Sequence, residues 1–169
     1  MIPLFLATVM CGGLFAGVAP AEKLNISATA MGGTGVSLVG VGKRTFVARS
    51  PTFIIGEVGI AHPDLDWLEL APSVMLEVEG RVGFALLPKI RARLPGKRVR
   101  FWGAAALPIF VVPYSLLGVQ VGAGVSISLH QRVALVGEFT ATAYVWGSDL
   151  IKKTALGKLD ESFGVRVSF

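Results

Sequence analysis

Charge is scarce in this chain, and cysteine is scarcer still. Only 16% of the 169 residues are Asp, Glu, Lys or Arg, and the one cysteine, Cys11, lies in an opening segment that holds no charged side chain. Beyond that segment no disulfide can form, which excludes a small cystine-stapled scaffold. Soluble proteins carry about 25% charged residues, so this shortage beside 53% hydrophobic residues is a membrane protein's composition. The net charge of +5 falls wholly after Ala21 and is scattered rather than gathered on one helix. Such a spread suits anionic lipid headgroups and argues against nucleic acid as a partner.

The opening segment, MIPLFLATVMCGGLFAGVAPA, ends with Ala19 and Ala21, the small-x-small pattern that precedes signal-peptidase cleavage, here before Glu22. Residues 1–21 read as a secretory signal, and residues 22–169 as one domain. No Lys or Arg stands ahead of the apolar run, which departs from the usual signal and keeps an uncleaved anchor as the alternative. Thr8, Val9 and Met10 do not make a lipoprotein box before Cys11, so no lipid anchor is expected there.

Charge is also missing from Phe101 to Leu129, a run that hydropathy alone would assign to a transmembrane helix. Pro108 and Pro113 break it, and Gly103, Gly118, Gly122 and Gly124 weaken it as a helix. Its period is that of a strand. Leu117, Val119, Val121, Ala123, Val125, Ile127 and Leu129 alternate with Gly118, Gln120, Gly122, Gly124, Ser126 and Ser128. The same alternation places Phe163, Val165, Val167 and Phe169 opposite Ser162, Gly164, Arg166 and Ser168, and it recurs around residues 68–78 and 133–142. A sheet with a lipid-facing apolar side cannot leave its edge N–H and C=O groups unpaired in hydrocarbon, so it must close.

The expected fold is all-β: a closed antiparallel transmembrane barrel of about eight strands, the smallest size for this architecture. The strands are placed at residues 26–42, 51–61, 67–78, 81–92, 97–107, 116–129, 132–145 and 162–169. A short turn at His130 and Gln131 is expected on the periplasmic side, and a long polar loop from Gly147 to Glu161 on the outer side.

The segment GVQVGAGVSISLHQRVALVGEF and the last strand SFGVRVSF resemble the final hairpin and C-terminal strand of the small OmpA, OmpX and opacity-protein type barrels. The resemblance covers the final third of the chain and implies an outer-membrane location. It also implies that Phe163, Val165, Val167 and Phe169 form an assembly signal for the barrel assembly machinery, and that outer-membrane lipids and lipopolysaccharide are the surrounding partners.

No catalytic, cofactor or metal site is expected. Gly32 to Thr45 is glycine-rich but has Ser37 and Arg44 where a phosphate-binding loop needs Gly and Ser or Thr. Ser128, His130 and Glu138 resemble the residues of lipid A deacylases, but His follows Ser here instead of preceding it. His62 with Asp64 and Asp66 could hold a metal, although His-Pro-Asp is also ordinary turn chemistry. Strand parity sends Glu57, Glu69, Glu77, Arg81, Arg98, Arg100, Glu138 and Arg166 into the lumen. Charges of both signs in so narrow a space should pair and plug it, Glu138 with Arg166 among them. A small conduit is the alternative. Trp67, Trp102, Tyr114, Tyr144 and Trp146 fall near strand ends, as interfacial girdles do, with Trp102 on an inward parity. Lys152, Lys153 and Lys158 are expected in the long loop, where they either meet lipopolysaccharide phosphates or belong to an ordinary solvated loop.

Overall fold

A computed structural model describes residues 24–80, 82–148 and 154–169. The expected signal segment, Arg81, Lys152 and Lys153 lie outside them. Among the described residues, eleven strands run in chain order: β1 (Asn25–Val41), β2 (Arg44–Ala61), β3 (Leu68–Leu70), β4 (Ser73–Glu77), β5 (Gly83–Leu87), β6 (Lys89–Arg93), β7 (Val99–Ala106), β8 (Ile109–Val112), β9 (Leu116–Ser128), β10 (Val133–Gly147) and β11 (Thr154–Ser168). All pairings are antiparallel, and β1 meets β11 from Ser27↔Ser168 to Val41↔Thr154, which closes the sheet on itself. No helix among the described residues is long and apolar enough to cross a membrane.

Through the closed part of the wall eight strands circle the barrel, but three positions are occupied by pairs of short strands. The lower ring is β1, β2, β3, β6, β7, β9, β10 and β11; the upper ring replaces β3, β6 and β7 with β4, β5 and β8. We call lower the end that carries Asn25, Ala61, Ser128 and Phe169. Each interruption falls at a proline: Pro72 between β3 and β4, Pro88 between β5 and β6, and Pro108 between β7 and β8. Proline has no N–H to give the ladder. Its carbonyl still serves, since Val58, Leu107 and Gly118 donate their N–H groups to the carbonyls of Pro72, Pro88 and Pro108 at 3.1, 3.0 and 2.9 Å. The prolines thus form a seam through three adjacent positions of the wall.

Polarity is the reverse of a soluble protein's. Ile54, Val58, Val121, Phe139, Phe163 and Val165 are exposed on the outer face, while Ser27, Thr29, Glu57, Glu69, Arg91 and Thr140 are buried inside. The wall can lie in hydrocarbon because its backbone groups pair around the ring.

Several boundaries differ from the sequence reading. β2 begins at Arg44 rather than residue 51, and β11 begins at Thr154, so much of the expected loop from Gly147 to Glu161 is wall. The charges of Lys158, Asp160 and Glu161 had marked it as loop. Connections at the two ends are of similar length, 42–43, 78–82, 113–115 and 148–153 above and 62–67, 94–98 and 129–132 below; what is longer at the upper end is the strands.

Candidate functional site

The lumen is filled in layers. Running down β2, Ser50 comes first, then Phe53 and Ile55, then Glu57, all buried. Phe53 and Ile55 belong to an apolar cluster with Met31, Met75, Ala85, Leu87, Phe110, Leu116 and Tyr144. Above it, Lys158 on β11 pairs with Glu77 on β4 at 2.6 Å and lies over the Phe110 ring at 5.2 Å. Below it is an ionic layer.

Three carboxylates, Glu57, Glu69 and Glu138, meet four cations in that layer. Arg91 on β6 is central: it reaches Glu57 at 2.8 Å, Glu69 at 3.2 Å and Glu138 at 3.3 Å, with 1% of its side chain exposed. Lys89 bridges Glu138 at 2.8 Å and Glu57 at 3.1 Å. Arg166 on β11 joins Glu69 at 2.6 Å and Glu57 at 3.6 Å, and its Nε donates to Thr29 at 3.3 Å. Arg93 Nε donates to Glu69 at 2.7 Å. Trp102 on β7 stacks beneath Arg91, 4.9 Å from the guanidinium, and its indole N–H points to Glu138 at 3.4 Å. Space for these groups comes from glycine. A Cβ at Gly59 would collide with the Glu69 carboxylate, and one at Gly124 with the Trp102 ring.

Of the expected lumen charges, Glu57, Glu69, Glu77, Glu138 and Arg166 are buried inside. Arg98 and Arg100 are exposed: Arg98 precedes β7 altogether and Arg100 stands at its open lower end, where an inward parity leads to solvent. Arg81 lies outside the described residues. Glu138 and Arg166 join the same layer but bond to different partners, because the β10–β11 register sets Glu138 against Ser162 and Ala134 against Arg166. Lys89, Arg91, Arg93 and Asp160 were not foreseen. The alternation of Lys89, Arg91 and Arg93 with Ile90, Ala92 and Leu94 was the available signal: a strand was expected at residues 81–92, but its inward parity was assigned only to Arg81.

Trp67 and Trp146 are exposed at opposite ends of the wall, whereas Tyr144 and Trp102 are interior. Tyr114 packs near Phe110 with ring centroids 6.4 Å apart. Lys158 faces Glu77 inside the barrel and not a loop surface. Glu138 is engaged in the ionic layer while Ser128 and His130 line the lower mouth, so the three do not form a nucleophile and base. The His62 Nδ1 accepts the Asp64 N–H at 3.2 Å and caps a short 3-10 turn, and no metal-holding group of His, Cys, Asp or Glu occurs among the described residues. Beneath the ionic layer the lumen opens into a polar cavity of about 370 Å³ that includes Arg93, Arg100, Trp102, Ser126, Arg132 and Arg166 in its lining.

No protein-family model matches the chain, and no curated protein does. Solved structures do resemble it. Neisserial surface protein A is 13% identical with a TM-score of 0.58, over 86% of this chain and 97% of that one. The N-terminal β-barrel domain of Pseudomonas aeruginosa OprF is 14% identical with a TM-score of 0.58, again over 86% and 97%. A de novo designed transmembrane β-barrel is 14% identical with a TM-score of 0.53, over 83% and 95%. What the chain shares with these proteins is their fold, that of the small outer-membrane type of transmembrane β-barrel.

Proposed function

We propose that this chain is an integral outer-membrane protein whose barrel is a closed, non-conducting and non-catalytic scaffold, acting through its walls and its ends on the surrounding envelope. The observation that carries this reading is the filled lumen. An apolar cluster and an ionic layer span the interior in succession, and eight strands leave little room beyond such side chains. The upper ends of β1 and β2 supply an interaction surface. Lys43, Arg44 and Arg49 are exposed there beside Phe46 and Val47, a combination suited to phosphate-bearing lipids such as lipopolysaccharide. In the same reading, Phe163, Val165, Val167 and Phe169 serve recognition by the assembly machinery. Phe163, Val165 and Phe169 are exposed on the outer face, and the Phe169 N–H donates to the Ile26 carbonyl at 3.0 Å.

Conductance across planar bilayers tests the scaffold. The wild-type protein should show no unitary current steps. Reproducible steps in the wild type would replace the scaffold with a conduit.

A further inference from the structure

We propose that the lower mouth of the barrel is a binding site for a small oxyanion, a phosphate or phosphomonoester group. The argument begins with the charge balance of the ionic layer. Three carboxylates face four cations, Lys89, Arg91, Arg93 and Arg166, so the layer carries one positive charge in excess although each cation is paired. The shortfall lies on the side of the cavity. Glu69 is shared by Arg91, Arg93 and Arg166, and of these Arg93 and Arg166 line the cavity below. A buried cation with less than a full counter-charge draws an anion to the nearest open space.

That space is furnished for one. Arg100 and Arg132 add two more guanidiniums to its lining, against Asp66 as the acid. The Arg100 Nε is committed to the Gly96 carbonyl at 2.8 Å, which holds the side chain at the rim and leaves its terminal nitrogens to a ligand. Ser27, Ser126, Ser128 and Ser168 provide hydroxyls. Planar guanidiniums from several directions with short hydroxyl donors between them match the tetrahedral oxygens of a phosphate. The cavity of about 370 Å³ exceeds a bare phosphate and accommodates a small group esterified to it.

Indole N–H resonances of the folded protein provide the readout, with inorganic phosphate as the probe and chloride holding ionic strength constant. Trp102 lines the cavity and bonds to Glu138, so its resonance should shift saturably while that of Trp146, at the other end, stays still. Substituting Arg100→Gln with Arg132→Gln removes two exposed groups and leaves the ionic layer intact; the affinity should fall about tenfold or more. Nanodiscs separate the two sources of such a group. A Trp102 shift produced by anionic lipid alone assigns the site to a headgroup, and a shift that needs added phosphate in zwitterionic lipid assigns it to a solute. Unsaturable shifts, equal shifts at both indoles, or an unchanged affinity in the double variant would overturn the proposal.

Discussion

Arg91 is the residue on which the interior depends most. Three carboxylates converge on it from β2, β3 and β10, and 1% of its side chain is exposed. Removing one member of a buried ion cluster leaves its partners charged in a poor solvent, a loss of about 3–5 kcal/mol. Arg91→Met should therefore unfold at markedly lower urea in detergent, followed by tryptophan fluorescence. Arg93→Met, with 16% of its side chain exposed, should do less. Matching midpoints for Arg91→Met and wild type would show that Lys89 and Arg166 suffice. Strand parity had placed Glu57, Glu69, Glu77 and Glu138 inside, because each stands alone between apolar neighbours. The partners were missed although a strand was expected at residues 81–92, because the inward parity given to Arg81 was not carried along it to Lys89 and Arg91 within LLPKIRARL.

Among the elements, the extension of β2 above its neighbours is secured by Glu79, in the connection between β4 and β5. Its carboxylate accepts from the Thr52 hydroxyl at 2.7 Å, the Thr52 N–H at 3.1 Å and Arg49 at 3.1 Å. The hydrogen bonds from Thr52, aided by Arg49, hold this carboxyl below its ordinary value of 4.5. A depressed folded value means that the contribution is complete above the ordinary value and is lost as pH falls through the lowered one. The protection factor of the Thr52 amide, measured against its intrinsic exchange rate, should therefore fall in acid, and Glu79→Gln should lose that protection at neutral pH as well. An acid-insensitive protection factor at Thr52 in the wild type would remove Glu79 from this role. The β9–β10 hairpin and the lower half of β11 were legible from alternation alone. The start of β2 and the upper half of β11 were not, because Arg44, Thr45 and Arg49 interrupt the apolar alternation and Lys158, Asp160 and Glu161 read as a polar loop.

For the molecule as a whole, closure could be argued from the sequence, since an apolar outer face requires a ring. The proline seam could not, as it depends on which prolines become neighbours. Mechanically, the wall resembles a cask in which five staves, β1, β2, β9, β10 and β11, run full length and three adjacent ones are cut at the same height. Its compliance is therefore one-sided. Amides beside the cuts, those of Ala71 and Leu107, should exchange ahead of the β10–β11 ladder; equal protection would mean a uniformly stiff cask. Lys89 directly follows one cut, and with Arg91 it reaches across the lumen to Glu57 and Glu138 on uncut staves. The charges thus act as internal struts, tying the side with fewer hoops to the side that is whole.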